Sequence, residues 1–273
     1  MSYLKFLALF LFLIYSCSSS KKHSEQQAVK VELTTIYGNV ILELSNETPL
    51  HRDNFVKLVK EGYFDDMLFH RVIEGFGIQS GDPNSKNAKP REALGNGGPD
   101  YTIPAEINAQ LFHKRGALNA ARDNNPDRAS AGSQFFIVQG KVQNDNTLDR
   151  SEKRINNWLA EHYFINDPAN KAFRDSFEMA MRNENEQAYM RWIDSIQSGG
   201  KNYTNFEPYS YPEAHREVYK TNGGAPHLDQ NYTVFGEVIQ GMNIVDSIAA
   251  QPVDSLDRPL NDVRIISARI LEE

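Results

Sequence analysis

Two short stretches determine how this chain folds: FHRVIEGFGIQSGD at residues 69–82 and GSQFFI at residues 132–137. The first predicts two strands, over residues 68–73 and 76–80, and the second predicts a strand over residues 133–138. Strands of this length, rich in aromatic and β-branched residues, are typical of an all-β architecture. We therefore expect these stretches to form strands of one β-structure.

The chain on either side continues the same pattern. Residues 29–44 alternate apolar and polar side chains around a turn at Gly38, which predicts a β-hairpin. Residues 48–62 begin with Thr-Pro and end with glycine, so they predict a short helix that faces the core. Further strands are expected at residues 233–238 and 263–270. Many short strands with few helices predict a closed, mainly β barrel.

Residues 141–226 interrupt this pattern with helical periodicity. Ile155, Trp158 and Leu159 fall on one helical face, and the Asp-Pro pair at residues 167–168 is typical of a helix start. The spacing predicts an insertion of about two to four helices between two strands of the barrel. Its aromatic stripes are interpreted as a packed core, because such stripes form cores more often than ligand sites.

Composition limits the possible partners. The 273 residues carry a formal net charge of -7 and no long cluster of lysine or arginine, so no nucleic-acid partner is expected. Cys17 is the only cysteine, which excludes an intramolecular disulfide and a cysteine-built metal site. The 7 histidines lack metal-ligand spacing, so no metal site is predicted.

The N-terminal residues are typical of an export signal. The apolar run at residues 6–15 is too short to span a bilayer of about 30 Å as a helix. Ile-Tyr-Ser-Cys at residues 14–17 resembles the lipobox of bacterial lipoproteins, which implies a cleaved signal peptide at residues 1–16 and a lipid anchor on Cys17. Residues 17–28 would form a flexible tether. The alternative is a plain secretory signal with an incidental cysteine.

Four segments together resemble the cyclophilin family of prolyl isomerases. Residues 69–82 and 132–137 resemble two signature segments of that family. GALNAAR at residues 116–122 resembles the loop that lines the family's peptide groove, and residues 227–236 resemble the remaining wall of the groove. The order and the approximate spacing of the segments agree, apart from the insertion.

This resemblance covers residues 29–140 and 227–273, which leaves residues 141–226 as the insertion. It implies an eight-stranded antiparallel barrel capped by two helices, near residues 49–60 and 242–249. It also implies a peptidyl-prolyl cis/trans isomerase that acts on proline-containing polypeptides without a cofactor. Together with the lipobox, it predicts an enzyme that folds exported proteins, anchored in a bacterial cell envelope and facing the periplasm.

Prolyl isomerisation places two demands on a catalyst. Rotation about the peptide bond breaks amide resonance against a barrier of about 18–20 kcal/mol, while no bond is made or broken. The imide nitrogen regains a lone pair in the twisted state, so a fixed cationic donor stabilises that state, and Arg71 is the predicted donor. The second demand is a dry slot for the proline ring, because an apolar wall strengthens the electrostatic effect of the donor.

The resemblance assigns the residues of this slot and two amides beside it. Phe76, Phe136 and Leu228 occupy the positions that form the slot in the family. Gln79 and Gln134 would supply hydrogen bonds to the peptide carbonyl and to the catalytic arginine. Taken alone, Phe76 and Phe136 would normally be core residues and Gln134 a satisfied polar group of the barrel. Arg71 alone would be a surface salt-bridge partner, so only the ordered set indicates a site.

The resemblance also assigns the outer part of the peptide groove. The backbone of Ala121 and Arg122 would align the substrate beyond the proline. Gly77 stands where the family usually has methionine, which predicts a wider slot with one apolar contact missing. His227 replaces the tryptophan most frequent in eukaryotic members, and Tyr232 replaces their histidine, as in bacterial members.

Two alternatives stay open. The insertion enters next to Leu228, so its helices would either overhang the proline slot or dock a protein partner. The chain as a whole could also be a holdase or scaffold that binds proline segments with little turnover, an interpretation that Gly77 favours and Arg71 disfavours. A hydrolase is not expected, because no nucleophile elbow accompanies His70 and Asp82.

Overall fold

The computed structural model describes residues 27–183 and 185–271. The signal peptide predicted at residues 1–16 and the lipid anchor predicted at Cys17 lie outside the described residues, as does most of the tether predicted at residues 17–28. None of the helices in the described chain is long and apolar enough to cross a membrane.

The described chain forms one large and one small antiparallel sheet. The strands are β1 (Lys30–Thr35), β2 (Gly38–Leu44), β3 (Arg71–Ile73), β4 (Gly77–Ser80), β5 (Thr102–Ile103), β6 (Ala117–Ala120), β7 (Ser130–Ala131), β8 (Phe135–Val138), β9 (Val234–Gln240) and β10 (Ile265–Leu271). The large sheet has eight strands in the order β10-β1-β2-β9-β6-β8-β4-β3, and β5 pairs with β7. The predicted mainly β, eight-stranded antiparallel fold is confirmed.

The hairpin of β1 and β2 follows directly from the alternating sequence. Thr35 pairs with Gly38 across a two-residue turn, and the Thr35 hydroxyl donates to the Gly38 carbonyl at 2.8 Å. Val31, Leu33 and Leu42 are fully buried, because alternate residues of a strand point to the same face. This hairpin therefore supplies one wall of the apolar core.

The two edges of the large sheet meet just before β3 and β10. The amides of Asp66 and Phe69 donate to the carbonyls of Ile265 and Val263, both at 2.8 Å. The sheet is thus joined edge to edge around its core. Two helices, α1 (Pro49–Lys60) and α2 (Met242–Ala249, after the insertion in chain order), lie against this core as predicted.

One segment differs from its sequence interpretation. Residues 116–122 resemble a groove-lining loop, yet Ala117–Ala120 form strand β6 between β8 and β9. All four residues are buried, and Nδ2 of Asn119 donates to the Phe136 carbonyl at 3.3 Å. Alanine and asparagine have weak strand propensity, so periodicity alone does not reveal this strand. The segment is a strand because it pairs with β8 on one side and with β9 on the other.

Residues 141–226 contain helices, as the sequence predicts. Four helices form here, which we label αA to αD: αA (Asp145–Asn166), αB (Lys171–Arg182), αC (Glu186–Gly200) and αD (Glu213–Thr221). Two apolar clusters hold them together. One contains Leu148, Ile155 and Tyr219, and the other contains Phe177 and Ile196. The aromatic stripes are therefore largely core.

The insertion leaves and rejoins the barrel at one place. The amide of Gly224 donates to the Lys141 carbonyl at 3.1 Å, which closes the neck of the insertion. A buried bond then fixes αD to the barrel: the Tyr219 hydroxyl donates to Oδ2 of Asp229 at 2.7 Å. The same carboxylate lies 2.7 Å from Nδ1 of His113. Because Asp229 adjoins Leu228, the insertion is held next to the predicted slot.

Candidate active site

A cavity of about 350 Å³ opens on the face of β4 and β8 that points away from the barrel core. It lies between the ends of these strands, the start of β3 and the short 3-10 helix Pro226–Leu228. Most of the predicted site residues line it: Arg71, Phe76, Gln79, Ala121, Arg122, Phe136, Leu228 and Tyr232.

Strand register explains why residues far apart in sequence meet here. Arg71 on β3 is directly opposite Gln79 on β4, and Gln79 is directly opposite Phe136 on β8. Directly opposite residues of antiparallel strands project to the same side of the sheet. A cationic, an amide and an aromatic side chain thus lie side by side across three strands.

Aromatic side chains form the wall of the cavity. The rings of Phe76 and Phe136 are stacked with centroids 6.1 Å apart and planes at 18°. Tyr232 meets Phe136 edge to face at 6.0 Å, and Leu228 is buried beside them. The wall is largely apolar, which suits it to an aliphatic ring.

Arg71 stands at the rim of this wall. Its Nε lies 3.4 Å from Oδ2 of Asp257, and the two side chains remain 45% and 41% exposed. The Asp257 carbonyl in turn accepts from the Val72 amide at 2.8 Å, so the loop that carries the aspartate is tied to β3. Neither terminal nitrogen of Arg71 has a hydrogen-bond partner among the described residues, which leaves both available to a ligand.

A chain of amides fixes the orientation of Gln79. Nε2 of Gln134 donates to the carbonyls of Gly95 and Gly97 at 2.7 and 2.9 Å, so Oε1 of Gln134 is its acceptor end. That oxygen accepts from Nε2 of Gln79 at 3.0 Å. Gln79 therefore turns its carbonyl oxygen away from Gln134 and keeps it free as an acceptor.

This arrangement corrects the role expected for Gln134. Its side chain is buried, lies outside the cavity and bonds the loop around Gly95 rather than Arg71. The arginine is paired instead with Asp257. Gln134 thus positions Gln79 and does not itself face the cavity.

The side chain of Arg122 lines one edge of the cavity. Its guanidinium lies 4.8 Å from the centre of the Tyr232 ring and donates to the carbonyl of Asn231 at 3.0 Å. It also donates to the side chain of Asn231 at 2.8 Å and to the Asp123 carbonyl at 2.9 Å. Burial lowers the pKa of Arg122 from its ordinary value, because desolvation disfavours the charged form.

The neighbouring Ala121 is less available than the sequence predicts. Its amide donates to the Gln134 carbonyl at 2.9 Å, and its carbonyl accepts from the Ala131 amide at 2.8 Å. The Ala121 amide is therefore already used within the protein. The backbone of Arg122, by contrast, has no backbone hydrogen-bond partner in the described chain.

Gly77 does not line the cavity. It is buried in β4, and a Cβ atom at this position would lie 2.4 Å from the carbonyl oxygen of Ile137 on β8. Real Cβ atoms do not approach a backbone oxygen so closely. Gly77 therefore does not widen the proline slot, contrary to the prediction from the sequence. Glycine is required at this position because β4 and β8 pack closely here.

His227 also lies outside the cavity, behind its aromatic wall. Its ring stacks on Phe76 with centroids 6.1 Å apart and planes at 29°. Burial, with a smaller contribution from the nearby Arg154, lowers the pKa of His227 to about 4. The residue is thus a neutral aromatic support for Phe76.

Several residues at the cavity were not predicted. Leu94, Gly95, Asn96 and Leu256 line it, and so does His70, whose two ring nitrogens have no partner among the described residues. Burial lowers the pKa of His70 to about 4. The four positions other than His70 come from loops that carry no sequence periodicity, and the carboxylate that pairs with Arg71, that of Asp257, lies far along the chain. Within residues 27–183 and 185–271, no group of three His, Cys, Asp or Glu side chains could hold a metal ion.

Solved structures share this fold. A cyclophilin type peptidyl-prolyl cis-trans isomerase from Cryptosporidium parvum matches with a TM-score of 0.52 at 19% identity, over 90% of this chain and 99% of that chain. The same protein in the presence of the dipeptide Ala-Pro gives a TM-score of 0.51 at 20% identity, over 89% and 99%. The barrel and its cavity thus define a protein of the cyclophilin fold.

Sequence comparison identifies the family. The family model described as cyclophilin type peptidyl-prolyl cis-trans isomerase/CLD matches residues 29–165 and 191–270. A Staphylococcus aureus relative, assigned by name to the peptidyl-prolyl cis-trans isomerases, is 29% identical over 92% of this chain and 96% of its own length. A Staphylococcus haemolyticus relative with the same name is 29% identical over 90% and 93%. The chain belongs to the cyclophilin-type peptidyl-prolyl cis-trans isomerases, and it is an isomerase enzyme.

Proposed function

We propose that Arg71 accelerates X-Pro rotation by stabilising the twisted imide electrostatically. The observation that carries this proposal is the register that places Arg71 and Gln79 beside Phe136, because it sets a cationic donor at the rim of an apolar slot. The proline ring would rest on Phe136 and Leu228. Both terminal nitrogens of the guanidinium would then face the imide.

The energetics follow from the barrier. Amide resonance must be broken against about 18–20 kcal/mol, and the nitrogen lone pair that appears can accept a hydrogen bond only in the twisted state. An arginine donor beside a dry wall therefore acts on the transition state more than on the ground state. The carbonyl oxygen of Gln79 would accept from a substrate amide, and the Arg122 backbone would align the chain. No proton is transferred.

The proposed substrates are proline-containing segments of unfolded or partly folded polypeptides. The Cryptosporidium parvum relative in the presence of Ala-Pro supports this class of ligand. The shape of the cavity supports it as well, since its aromatic wall lies beside donors and acceptors that suit a peptide backbone.

An exchange assay on a short Ala-Pro peptide tests the mechanism. Arg71→Ala should lower kcat/KM by about two orders of magnitude, the usual effect of removing one transition-state donor. Arg71→Lys should recover only part of this loss, because an ammonium lacks the planar fork. Asp257→Asn should reduce kcat/KM less than Arg71→Ala does. Its effect on stability should stay below about 1 kcal/mol, since the pair is exposed.

The results of this exchange assay distinguish an enzyme from a proline-binding module. An active parent and an Arg71→Ala variant with unchanged kcat/KM would refute the electrostatic role. If the parent gives only the uncatalysed rate while a proline peptide binds, the chain is a holdase or scaffold.

We further propose that the enzyme acts on exported proteins and is held to a cell-envelope membrane by a lipid on Cys17, facing the periplasm. The support is the sequence of residues 1–28. Mass spectrometry of the protein made in a bacterium should find a diacylglyceryl group on an N-terminal Cys17, and Cys17→Ser should lack it. Recovery of a free Cys17 thiol, or of retained residues 1–16, would overturn this proposal.

A further inference from the structure

A second cavity, of about 330 Å³, lies between the barrel and the insertion. Its barrel side is formed by the loop at residues 122–128 and by Asn231 and Tyr232. Its other side is formed by αA, αB and αC, which contribute Trp158, Phe177 and Ile196 among others. The cavity therefore exists only because the insertion is present.

This second cavity adjoins the proline cavity. Arg122 and Tyr232 line both cavities, and their cation–π pair, with a separation of 4.8 Å, forms the partition. An extended chain advances about 3.3 Å per residue. A peptide whose proline occupies the first cavity would therefore reach the second within about two to four residues.

The barrel side of the second cavity carries two arginines, Arg122 and Arg128. Arg122 and Arg128 make no ion pair among the described residues. Arg128 donates instead to the Gln230 carbonyl and to Nε2 of His162, and its own Nε is buried without a partner. Nδ1 of His162 lies 3.0 Å from the Pro126 carbonyl and donates to it, while Nε2 accepts from Arg128. A histidine with one donor and one acceptor nitrogen is neutral, so this ring adds no charge. Both arginines are half-buried, and a partly desolvated charge without an ion-pair partner is costly, which favours an anionic ligand.

The carboxylates nearby do not neutralise these arginines. Asp127 pairs with Arg174 at 2.9 Å. Glu161 lines the cavity but makes no ion pair with Arg122 or Arg128 in the described chain, and burial raises its pKa. Asp123, next to Arg122 in the chain, attracts its guanidinium but is exposed to solvent and makes no ion pair with it among the described residues. Two guanidinium groups thus line the cavity together with one carboxyl group, that of Glu161.

We propose that this second cavity is a substrate subsite that takes an acidic residue of the client chain, about two to four residues from the proline. The carboxylate would bind Arg122 and Arg128, and the adjoining apolar atoms would pack on Trp158 and Ile196. This inference rests on the proposed isomerase function. It gives the insertion a role in selecting clients rather than in docking an unrelated partner.

Matched peptides test the subsite. Each contains Ala-Pro and either glutamate or its neutral counterpart glutamine, placed two, three or four residues from the proline on either side. At one spacing, the glutamate peptide should show a kcat/KM about tenfold higher, mainly through a lower KM, because a charge-assisted bond is gained. Added salt should reduce this ratio. Arg128→Gln should reduce the ratio several-fold while Arg122 retains a small glutamate preference, Arg128→Lys should restore part of the ratio, and Glu161→Gln should increase it.

Equal kcat/KM for glutamate and glutamine peptides at every spacing would overturn the subsite, while turnover of the glutamine peptides would show that the isomerase proposal stands. A glutamate preference that is undiminished in Arg128→Gln would also overturn it. If no peptide is turned over, fluorescence anisotropy of the same labelled peptides still decides the question, because the subsite requires tighter binding of a glutamate peptide by the parent.

Discussion

Gly77 illustrates how a single position depends on its surroundings. Compared with the family, its lack of a side chain predicts a wider proline slot. In the folded chain the missing Cβ would point at the carbonyl oxygen of Ile137, 2.4 Å away, and not into the cavity. The glycine therefore allows β4 and β8 to pack at this register.

We expect Gly77→Ala to lower the free energy of unfolding by about 1–3 kcal/mol, because the added methyl group must displace a backbone strand. Urea denaturation measures this effect. Gly98→Ala is the matched control, since a Cβ there would make ordinary contact with Ser133 at 3.5 Å. A Gly77→Met variant that folds as stably as the parent and is more active would contradict this account and restore the slot interpretation.

The attachment of αD to the barrel depends on two buried tyrosines. The Tyr219 hydroxyl donates to the carboxylate of Asp229, and the Tyr211 hydroxyl donates to the neutral carbonyl of Pro226, both at 2.7 Å. Both acceptors belong to the segment that carries Leu228. The insertion is thus coupled to the proline slot through one charged and one neutral acceptor.

Tyr219→Phe should cost about 1.5–3 kcal/mol of stability, because it removes a donor from a buried carboxylate. Tyr211→Phe should cost only about 1 kcal/mol, because its acceptor is uncharged. Thermal or urea unfolding of the two variants, which differ from the parent by one hydroxyl each, gives the comparison. Equal losses, or a larger loss for Tyr211→Phe, would show that the carboxylate does not govern the docking of αD.

The stability of the whole molecule should depend on pH through its buried histidines. Burial lowers the pKa of His70, His162 and His227 to about 4, against an ordinary value of 6.5. As pH falls from 6.5 towards 4, the unfolded chain therefore binds protons that the folded chain does not. The free energy of unfolding should decrease over that interval, by about 1.4 kcal/mol per pH unit for each proton taken up.

Urea denaturation between pH 7 and 4.5 measures this slope. His227→Phe, which keeps a ring against Phe76, should make the slope shallower. Isomerase activity should stay nearly flat with pH until the protein unfolds, because catalysis transfers no proton. A bell-shaped profile within the folded range would contradict the mechanism, and a constant stability down to pH 4.5 would contradict the histidine account.

Several elements of this fold can be predicted from the local sequence pattern. Alternation in residues 29–44 predicts the first hairpin, and a Pro-initiated segment predicts α1, because side-chain periodicity and helix signals are local properties. The order of the signature segments is enough to predict the eight-stranded barrel. β6 escaped prediction since its alanines become a strand only between two neighbours.

By its periodicity, the sequence determined a mainly β barrel and the helical character of the insertion, and its resemblance to the cyclophilin family indicated most residues at the cavity. Only the tertiary structure decided that Asp257 holds Arg71, that Gln134 acts through Gln79, and that Gly77 packs against a strand. It alone also decided that the insertion adds a second cavity beside Arg122. The physical reason is that these contacts join segments distant in the chain, where no periodicity specifies a neighbour and only packing and charge do.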